Sequence, residues 1–160
     1  PYPVINTLSD AGYPRGALNY WKSAFVRELS GELMEIMADA FERCPSPLGG
    51  FGMSHYHGAA TRVDATATAF PHRESGYSLL IVAQWLDPAE TERNITWAKE
   101  TFAALGPHLA ERRYVNNLSD HDPDSVAHAY GANYHRLVEV KRRHDPDNVF
   151  RLNHNIDPEG

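Results

Sequence analysis

Three histidines are the residues whose type and spacing could support chemistry by themselves. His55 and His57 stand on either side of Tyr56 in a run with strand character. Because alternate side chains of a strand lie on one face, the two imidazoles would share that face. With His72 they could be read as a metal site, since paired imidazoles occur in zinc sites. No third ligand follows at a diagnostic spacing and Cys44 is distant, so we expect no metal and favour histidines that face a substrate or are satisfied within a sheet.

The elements that would position these side chains follow from hydrophobic period and turn residues. Ser30 is an N-cap before an amphipathic run, and Asp87-Pro88-Ala89-Glu90 predicts a second helix start, with Glu90 closing a capping box. The predicted elements are helices at 30–44, 87–105 and 133–144, strands at 20–29, 51–57 and 77–85, a strand or loop at 59–73, a short extended piece at 114–117 and a turn with a helix cap at 121–124.

Strands mixed with helices at this spacing favour the α+β class. We predict a largely antiparallel sheet with helices packed on one face, followed by a C-terminal helical and extended segment. The strand at 77–85 is nearly all apolar, which is typical of a central strand buried on both faces.

Composition excludes several classes of protein. The chain has 160 residues, 42% of them hydrophobic and 22% charged, as expected of one globular domain. Its net charge of −6 argues against a nucleic-acid partner, and no apolar run approaches the roughly 20 residues of a membrane helix. The single cysteine excludes an internal disulfide, so the compartment, cytoplasmic or secreted, stays undecided.

The last third of the chain carries the most specific pattern. It reads Tyr-Val-Asn-Asn from Tyr114, then Tyr-Gly-Ala-Asn-Tyr-His-Arg-Leu from Tyr130, and Asp-Pro-Asp-Asn-Val-Phe-Arg followed by Asn-His-Asn-Ile up to Ile156. This order resembles the closing segment of FAD-linked oxidases of the berberine bridge enzyme type. A second stretch, 57–73 followed by 77–85, resembles the substrate-domain strands of bacterial members of that family.

The resemblance implies a domain organisation. Residues 1–112 would be part of the substrate-binding domain of an FAD-linked oxidase, and 113–160 the closing segment that packs on a flavin domain. No Gly-rich phosphate loop is present, whereas a diphosphate needs backbone donors at such a loop. We therefore expect FAD in the complete enzyme but not on this chain alone. The expected partners are the flavin-binding domain of the parent protein, a small-molecule substrate and, for the isolated chain, a second copy paired through its apolar tail.

The resemblance also implies roles for four residues of the closing segment. Tyr114 would sit over the flavin and remove a proton from the substrate hydroxyl, and Asn116, Tyr130 and Asn133 would contact the cofactor. A phenol ordinarily titrates near pH ~10, so this role needs neighbours that stabilise the phenolate. Alternatives stay open: a packing role for Tyr114, a turn amide at Asn116, and a helix start with aromatic packing at Tyr130 and Asn133.

Four residues are candidates for the substrate pocket: His55, His57, Leu80 and Asn117. Leu80 stands on a strand where relatives often place Gln, Asn or Glu, so an apolar side chain there favours Tyr114 as the base. Asn117 stands where the family usually shows Tyr or Phe.

The resemblance implies an overall reaction without choosing its substrate. The complete enzyme would oxidise an alcohol, sugar or amine-type substrate by hydride transfer to flavin, with O₂ as the final acceptor. The alternative is a stand-alone binding or interaction domain that keeps the fold without catalysis.

Overall fold

The computed structural model describes residues 2–5, 7–8, 10–117 and 123–159, apart from the side chains of residues 2 and 123–125. The strands are β1 (Leu18–Val26), β2 (Gly50–Tyr56) and β3 (Gly76–Trp85). The helices are α1 (Tyr2–Ile5), α2 (Gly31–Glu42), α3 (Thr91–Leu105), α4 (Pro123–Tyr130) and α5 (Tyr134–His144). Short 3-10 turns lie at Asp10–Gly12, Gly58–Thr61, Pro88–Glu90, Gly106–His108, Val115–Asn117 and Gly131–Asn133.

The three strands form one antiparallel sheet in the order β1-β3-β2. β3 is the central strand, and its residues are buried except for Tyr77 and Leu80, which are half-buried. The prediction of a central, doubly buried strand at 77–85 is therefore confirmed, as is the α+β class. Its apolar run fits this place because both faces are largely covered.

The chain divides into two compact units, each drawn from several stretches of sequence. The first comprises residues 1–22, 29–52 and 80–108. In it α2 packs on α3, and the indole Nε1 of Trp97 donates a 2.8 Å hydrogen bond to the Ala40 carbonyl. The ring of Phe51 lies 6.1 Å from that of Trp97, so β2 contributes to the same core.

The second unit comprises residues 23–28, 53–79 and 109–160. It contains the ends of the three strands, the irregular stretch after β2, and the closing segment with α4 and α5. The apolar sides of these two helices are buried, as the low exposure of Val126, Ala129 and Val138 shows. All the residues predicted for the catalytic, cofactor-binding and substrate sites lie in this unit, except Leu80.

Local signals at the helix starts were partly right. Ser30 caps α2 as predicted, since its Oγ accepts a 3.2 Å hydrogen bond from the Leu33 amide. Asp87 caps a 3-10 turn rather than α3 itself, which begins at Thr91. The predicted capping box is wrong, because the Glu90 carboxylate pairs with Arg93 at 3.3 Å.

Other predicted boundaries also needed correction. The first strand lies at Leu18–Val26 instead of 20–29, because burial ends at Val26 and the following three residues are exposed. The piece at 114–117 is not extended: Val115–Asn117 forms a 3-10 turn closed by a hydrogen bond from the Asn117 amide to the Tyr114 carbonyl. α4 was not predicted, and the turn predicted at 121–124 falls partly outside the described residues.

None of the helices in the described part of the chain is both long and apolar enough to cross a membrane.

Gly76, at the start of β3, gives a test of the close approach between two strands. Its φ is +149°, and a Cβ there would lie 2.6 Å from the Val26 carbonyl oxygen. We expect Gly76→Ala to lower the free energy of unfolding by about 1–3 kcal/mol, since both the backbone conformation and the contact oppose a side chain. Urea unfolding monitored by tryptophan fluorescence measures this change.

The matched control is Gly31→Ala in the first turn of α2, where nothing lies within 4 Å of an added Cβ. It should change stability by less than about 0.5 kcal/mol. Equal effects of the two substitutions would show that the approach of Gly76 to Val26 does not matter.

Candidate functional site

A cluster of five rings lies in the second unit and holds Tyr114. We call Phe25, Tyr56, Phe70, His72 and Tyr114 the ring cluster. Ring centroids are 5.5 Å apart for Phe25–Tyr56, 4.6 Å for Phe25–His72, 6.0 Å for Tyr56–Phe70, 5.1 Å for Phe70–His72 and 5.6 Å for Phe70–Tyr114. Phe70 meets both His72 and Tyr114 edge to face, the arrangement that aromatic quadrupoles favour.

His72 is the polar centre of the ring cluster. Its side chain is 2% exposed, and its Nε2 lies 2.6 Å from the Arg113 carbonyl oxygen. A carbonyl only accepts, so Nε2 carries the proton and donates. Burial lowers the pKa of His72, and the positive charge of Arg112 acts in the same direction. The opposing effects of the Arg113 and Ala129 backbone and of Glu74 do not outweigh burial, so the pKa stays below its ordinary value and the imidazole is neutral at pH 7.

Tyr114 is fixed by its own neighbours in the sequence as well. The turn over Val115–Asn117 brings the Asn116 side chain back, and its Nδ2 donates a 2.8 Å hydrogen bond to the Tyr114 hydroxyl. The Asn117 amide donates to the Tyr114 carbonyl at 3.0 Å. Tyr114 is half-buried and Asn116 is exposed. The structure therefore brings Tyr114, Asn116 and Asn117 together, with the phenolic oxygen already accepting one hydrogen bond.

A second phenol, Tyr56, lies within electrostatic reach of Tyr114. Burial raises the pKa of Tyr56, and negative charge on Tyr114 raises it further, whereas Arg73 lowers it. Arg73 stands 4.9 Å from the Phe70 ring centroid and donates to Thr68 Oγ1 at 2.8 Å. Tyr56 thus remains a neutral hydroxyl, and Arg73 orders the stretch between β2 and β3.

The side chain of Asn133 is hydrogen-bonded to the stretch between β2 and β3. It is 5% exposed, and its Nδ2 donates to the carbonyls of Ala65 at 2.7 Å and Thr68 at 3.0 Å. Its side chain makes no cap bond to α5. Tyr130, three residues earlier, is half-buried, and burial raises the pKa of its hydroxyl. The Asn133 amide nitrogen therefore fastens the irregular stretch to the start of α5.

The paired histidines at the end of β2, His55 within it and His57 directly after it, form a separate stack. The His55 ring lies 4.4 Å from that of His57 and stacks on Tyr77 at 4.7 Å with an interplanar angle of 17°. Both histidines are exposed. The predicted shared face is confirmed, whereas His72 belongs to the ring cluster. No group of three potential metal ligands occurs among the residues that the structure describes.

Leu80 lies in the first unit, next to Gly52 of β2. Its Cβ is 3.6 Å from the position that a Cβ on Gly52 would take.

The residues after α5 form a compact turn built on one ion pair. Lys141 bonds the Asp145 carboxylate and the Phe150 carbonyl, and Asp145 accepts from the amides of Val149 and Phe150. The hydrogen bond from Lys141, with those two amides, lowers the pKa of Asp145. Even so, Val149, Phe150 and Leu152 are 70%, 82% and 86% exposed. An ordered turn thus presents three apolar side chains to solvent.

Sequence reasoning did not assign Tyr56 or Phe70 to a site, nor a link from His72 to Arg113. The available signal was the order Phe70-Pro71-His72-Arg73, in which aromatic, imidazole and guanidinium groups follow one another closely. Nothing in that order shows which distant segment the groups contact, because His72 and Arg113 are 41 residues apart.

Comparison with known proteins gives consistent matches. Residues 113–157 match the family described as "Berberine and berberine like". Berberine bridge enzyme-like 5 of Arabidopsis thaliana is 37% identical over 119 residues, which cover 64% of this chain and 23% of that protein. An FAD-linked oxidoreductase of Dictyostelium discoideum is 26% identical over 162 residues, covering 99% of this chain and 35% of its own length.

The fold is found in solved structures as well. The structure of BBE-like #28 from Arabidopsis thaliana superposes with a TM-score of 0.75 at 23% identity, over 89% of this chain and 34% of that one. The chain thus spans between about a quarter and about a third of the length of the proteins it resembles.

The buried imidazole of His72 predicts how stability depends on pH. Because its folded pKa lies below the ordinary value of 6.5, the unfolded chain takes up the proton first as pH falls. We expect the free energy of unfolding to decrease as pH falls below about 6.5, and His72→Gln to flatten this decrease. Urea unfolding between about pH 5 and pH 8 measures the slope.

The control for this measurement is His144→Gln, at the exposed end of α5. It should leave the slope of the parent chain unchanged. If the free energy of unfolding of His72→Gln depended on pH as steeply as that of the parent, His72 would not be a buried neutral group.

Proposed function

We propose that this chain, which corresponds to the C-terminal portion of an FAD-linked oxidoreductase of the berberine bridge enzyme-like family, supplies the group that takes the proton from the substrate. Residues 1–112 belong to its substrate-binding domain, and 113–160 form the closing segment that packs on the flavin-binding domain. The observation that carries the proposal is the hydrogen bond from Asn116 to the hydroxyl of the half-buried Tyr114.

The residues of the closing segment differ in how well they fit the cofactor. Asn116 is exposed, and Tyr114 is half-buried, so both can meet a ring carried by another domain. Asn133 fits less well, because its amide nitrogen already bonds two carbonyls of its own chain. The half-buried Tyr130 keeps a hydroxyl for such a contact. In the complete enzyme Tyr114, Asn116 and Tyr130 would therefore contact FAD, with Asn133 bracing the segment behind them.

The chemistry divides between the cofactor and this chain. When bound, FAD supplies the acceptor for the hydride that leaves the substrate carbon. The substrate oxygen must lose its proton as the C=O bond forms, and the Tyr114 oxygen takes it. The step requires the phenolate form of Tyr114 as the proton acceptor, and the Asn116 amide, donating at 2.8 Å, would stabilise that oxygen. The hydroxyl of Tyr56 lies within electrostatic reach of Tyr114 and would add a second polar group to the site.

The substrate would be an alcohol or sugar that loses a hydroxyl proton to Tyr114, or an amine-type substrate that loses an N–H proton to it. His55, His57 and Asn117 offer polar groups for orienting it, and O₂ is the acceptor that regenerates the cofactor.

Tyr114→Phe in the complete oxidoreductase tests the assigned role. We expect the rate constant of flavin reduction to fall roughly 10²–10⁴-fold, the usual contribution of a positioned acid or base. Bound flavin and KM should change little, since the hydroxyl acts mainly in the transition state. Stopped-flow absorbance measures flavin reduction directly.

Two further variants define the result. Asn116→Ala removes the donor to the phenolic oxygen and should cause a smaller loss of about 10-fold. Tyr13→Phe, an exposed tyrosine of the first unit, is the matched control and should reduce flavin at the parent rate. If flavin reduction in Tyr114→Phe proceeded at the parent rate, Tyr114 would have only a packing role.

The purified chain by itself should hold no flavin. The expectation rests on the absence of a Gly-rich phosphate loop in the sequence, which leaves the diphosphate without backbone donors. The visible spectrum after expression with excess FAD measures it. A stoichiometric band near ~450 nm, as any oxidised flavin shows, would refute the division of labour between this chain and a separate flavin domain.

A further inference from the structure

The segment that leads into Tyr114 is attached at two successive points. At Ala110 it forms an isolated antiparallel bridge with Phe25, where the Ala110 amide donates to the Phe25 carbonyl at 2.7 Å. At Arg113 its carbonyl accepts the 2.6 Å hydrogen bond from His72. The Arg113 carbonyl belongs to the peptide group that joins Arg113 to Tyr114. The second attachment therefore fixes the position at which the Tyr114 backbone begins.

The two attachments differ in kind. The bridge at Ala110 is a backbone contact that any sequence could make. The hydrogen bond at Arg113 depends on one side chain, which is itself buried at 2% exposure between the rings of Phe25 and Phe70. Ring contacts hold the imidazole in one orientation, and so fix the direction of its N–H.

We propose that His72 is a positioning residue for Tyr114, and that it acts by holding the Arg113 carbonyl with its buried Nε2–H. The inference rests on the proposed function, in which Tyr114 takes the substrate proton. It adds a requirement from a different part of the chain: the stretch between β2 and β3 determines where the phenol stands.

A histidine suits this place for physical reasons. A lysine or arginine donor would bring a buried charge, which costs much more than a neutral donor. A serine or threonine hydroxyl is shorter and would not span the same gap. The neutral imidazole donates through Nε2 and fills space between two aromatic rings with the rest of its atoms. Among the described residues its Nδ1 makes no hydrogen bond of normal geometry, although the Ala129 backbone is near enough to raise the pKa of the imidazole. The bond from Nε2 to Arg113 and the contacts with Phe25 and Phe70 therefore orient the side chain.

Phe70 extends the same positioning to the Tyr114 side chain. Its ring meets His72 at 5.1 Å and Tyr114 at 5.6 Å, and the Arg73 guanidinium covers it at 4.9 Å. His72 thus fixes the backbone before Tyr114, and Phe70 fixes the ring. The run Phe70-Pro71-His72-Arg73 acts as one positioning element.

Hydrogen exchange in this chain tests the positioning without any flavin. The reporter is the Asn117 amide, which bonds the Tyr114 carbonyl, and the internal reference is the Ala110 amide at the upstream bridge. His72→Phe keeps a ring in the cluster but removes the donor. We expect Asn117 to exchange about 10-fold faster in this variant, with Ala110 changing less than about 3-fold. NMR resolves the two amides.

A second variant separates loss of the donor from loss of the ring. His72→Gln keeps an N–H at the position of Nε2, and Asn117 should exchange within about 3-fold of the parent. If His72→Phe does not fold, as circular dichroism would show, His72→Gln decides alone. Fast exchange at Asn117 with a protected Ala110 in His72→Gln, or parent-like exchange at Asn117 in His72→Phe, would overturn the inference.

Kinetics in the complete oxidoreductase separate the inference from the function on which it rests. If Tyr114→Phe slows flavin reduction, His72→Phe should lower kcat about 10-fold with little change in KM, and His72→Gln should restore most of the rate. A parent-like kcat in His72→Phe would then overturn the inference alone. If Tyr114→Phe is itself without effect, the proposed function fails, and the exchange of Asn117 still decides whether His72 positions the segment.

Discussion

The buried hydrogen bond between His72 and the Arg113 carbonyl joins two parts of the second unit that are far apart in the sequence. Elsewhere the two stretches meet through the contact of Phe70 with Tyr114 and through the hydrogen bonds from Asn133 to the carbonyls of Ala65 and Thr68. Removing the partner of a buried polar group costs about 1–3 kcal/mol, so the bond to Arg113 matters to the imidazole of His72, which is 2% exposed. It also explains why a neutral imidazole sits among aromatic rings: it satisfies a backbone group and packs as a ring.

Polar groups of the closing segment fall into two kinds. Asn133, Lys141 and Asp145 are used within the chain, where they fasten the irregular stretch and shape the turn after α5. Within the described part of the chain, the side chains of Tyr114 and Asn116 hydrogen-bond only each other, and they are not fully covered. The same contrast holds for the apolar tail, which is ordered by Asp145 but leaves Phe150 82% exposed. An ordered surface with exposed apolar and polar groups suits contact with another domain, and pairing of two isolated copies through it remains a prediction.

Much of the fold could be predicted because its signals are local. The Ser30 cap, the apolar run of β3 and the end of α3 at Leu105 each depend on neighbours in the sequence. The capping box at Glu90 failed because a nearby cation, Arg93, competes for the same carboxylate. The extended piece at Tyr114 failed because the side-chain bond from Asn116 and the backbone bond from Asn117 favour a turn there.

The candidate site could be predicted only in part, because its contacts are distant in the sequence. The motif named Tyr114 and Asn116, and the structure adds that they bond each other. Phe70 and His72 approach them from some 40 residues away, and no periodicity in one sequence encodes that contact. Asn133 shows the opposite case: its motif suggested a cofactor contact, whereas its amide nitrogen binds carbonyls of its own chain.

A crystal structure of the complete oxidoreductase with FAD and a substrate analogue tests the central claim most directly. The account predicts that the Tyr114 oxygen lies about 2.6–3.2 Å from the substrate hydroxyl, the reach of a proton acceptor, with the Asn116 amide still donating to it. A Tyr114 hydroxyl turned away from the substrate, or another side chain within hydrogen-bond distance of the reacting hydroxyl in its place, would contradict the account.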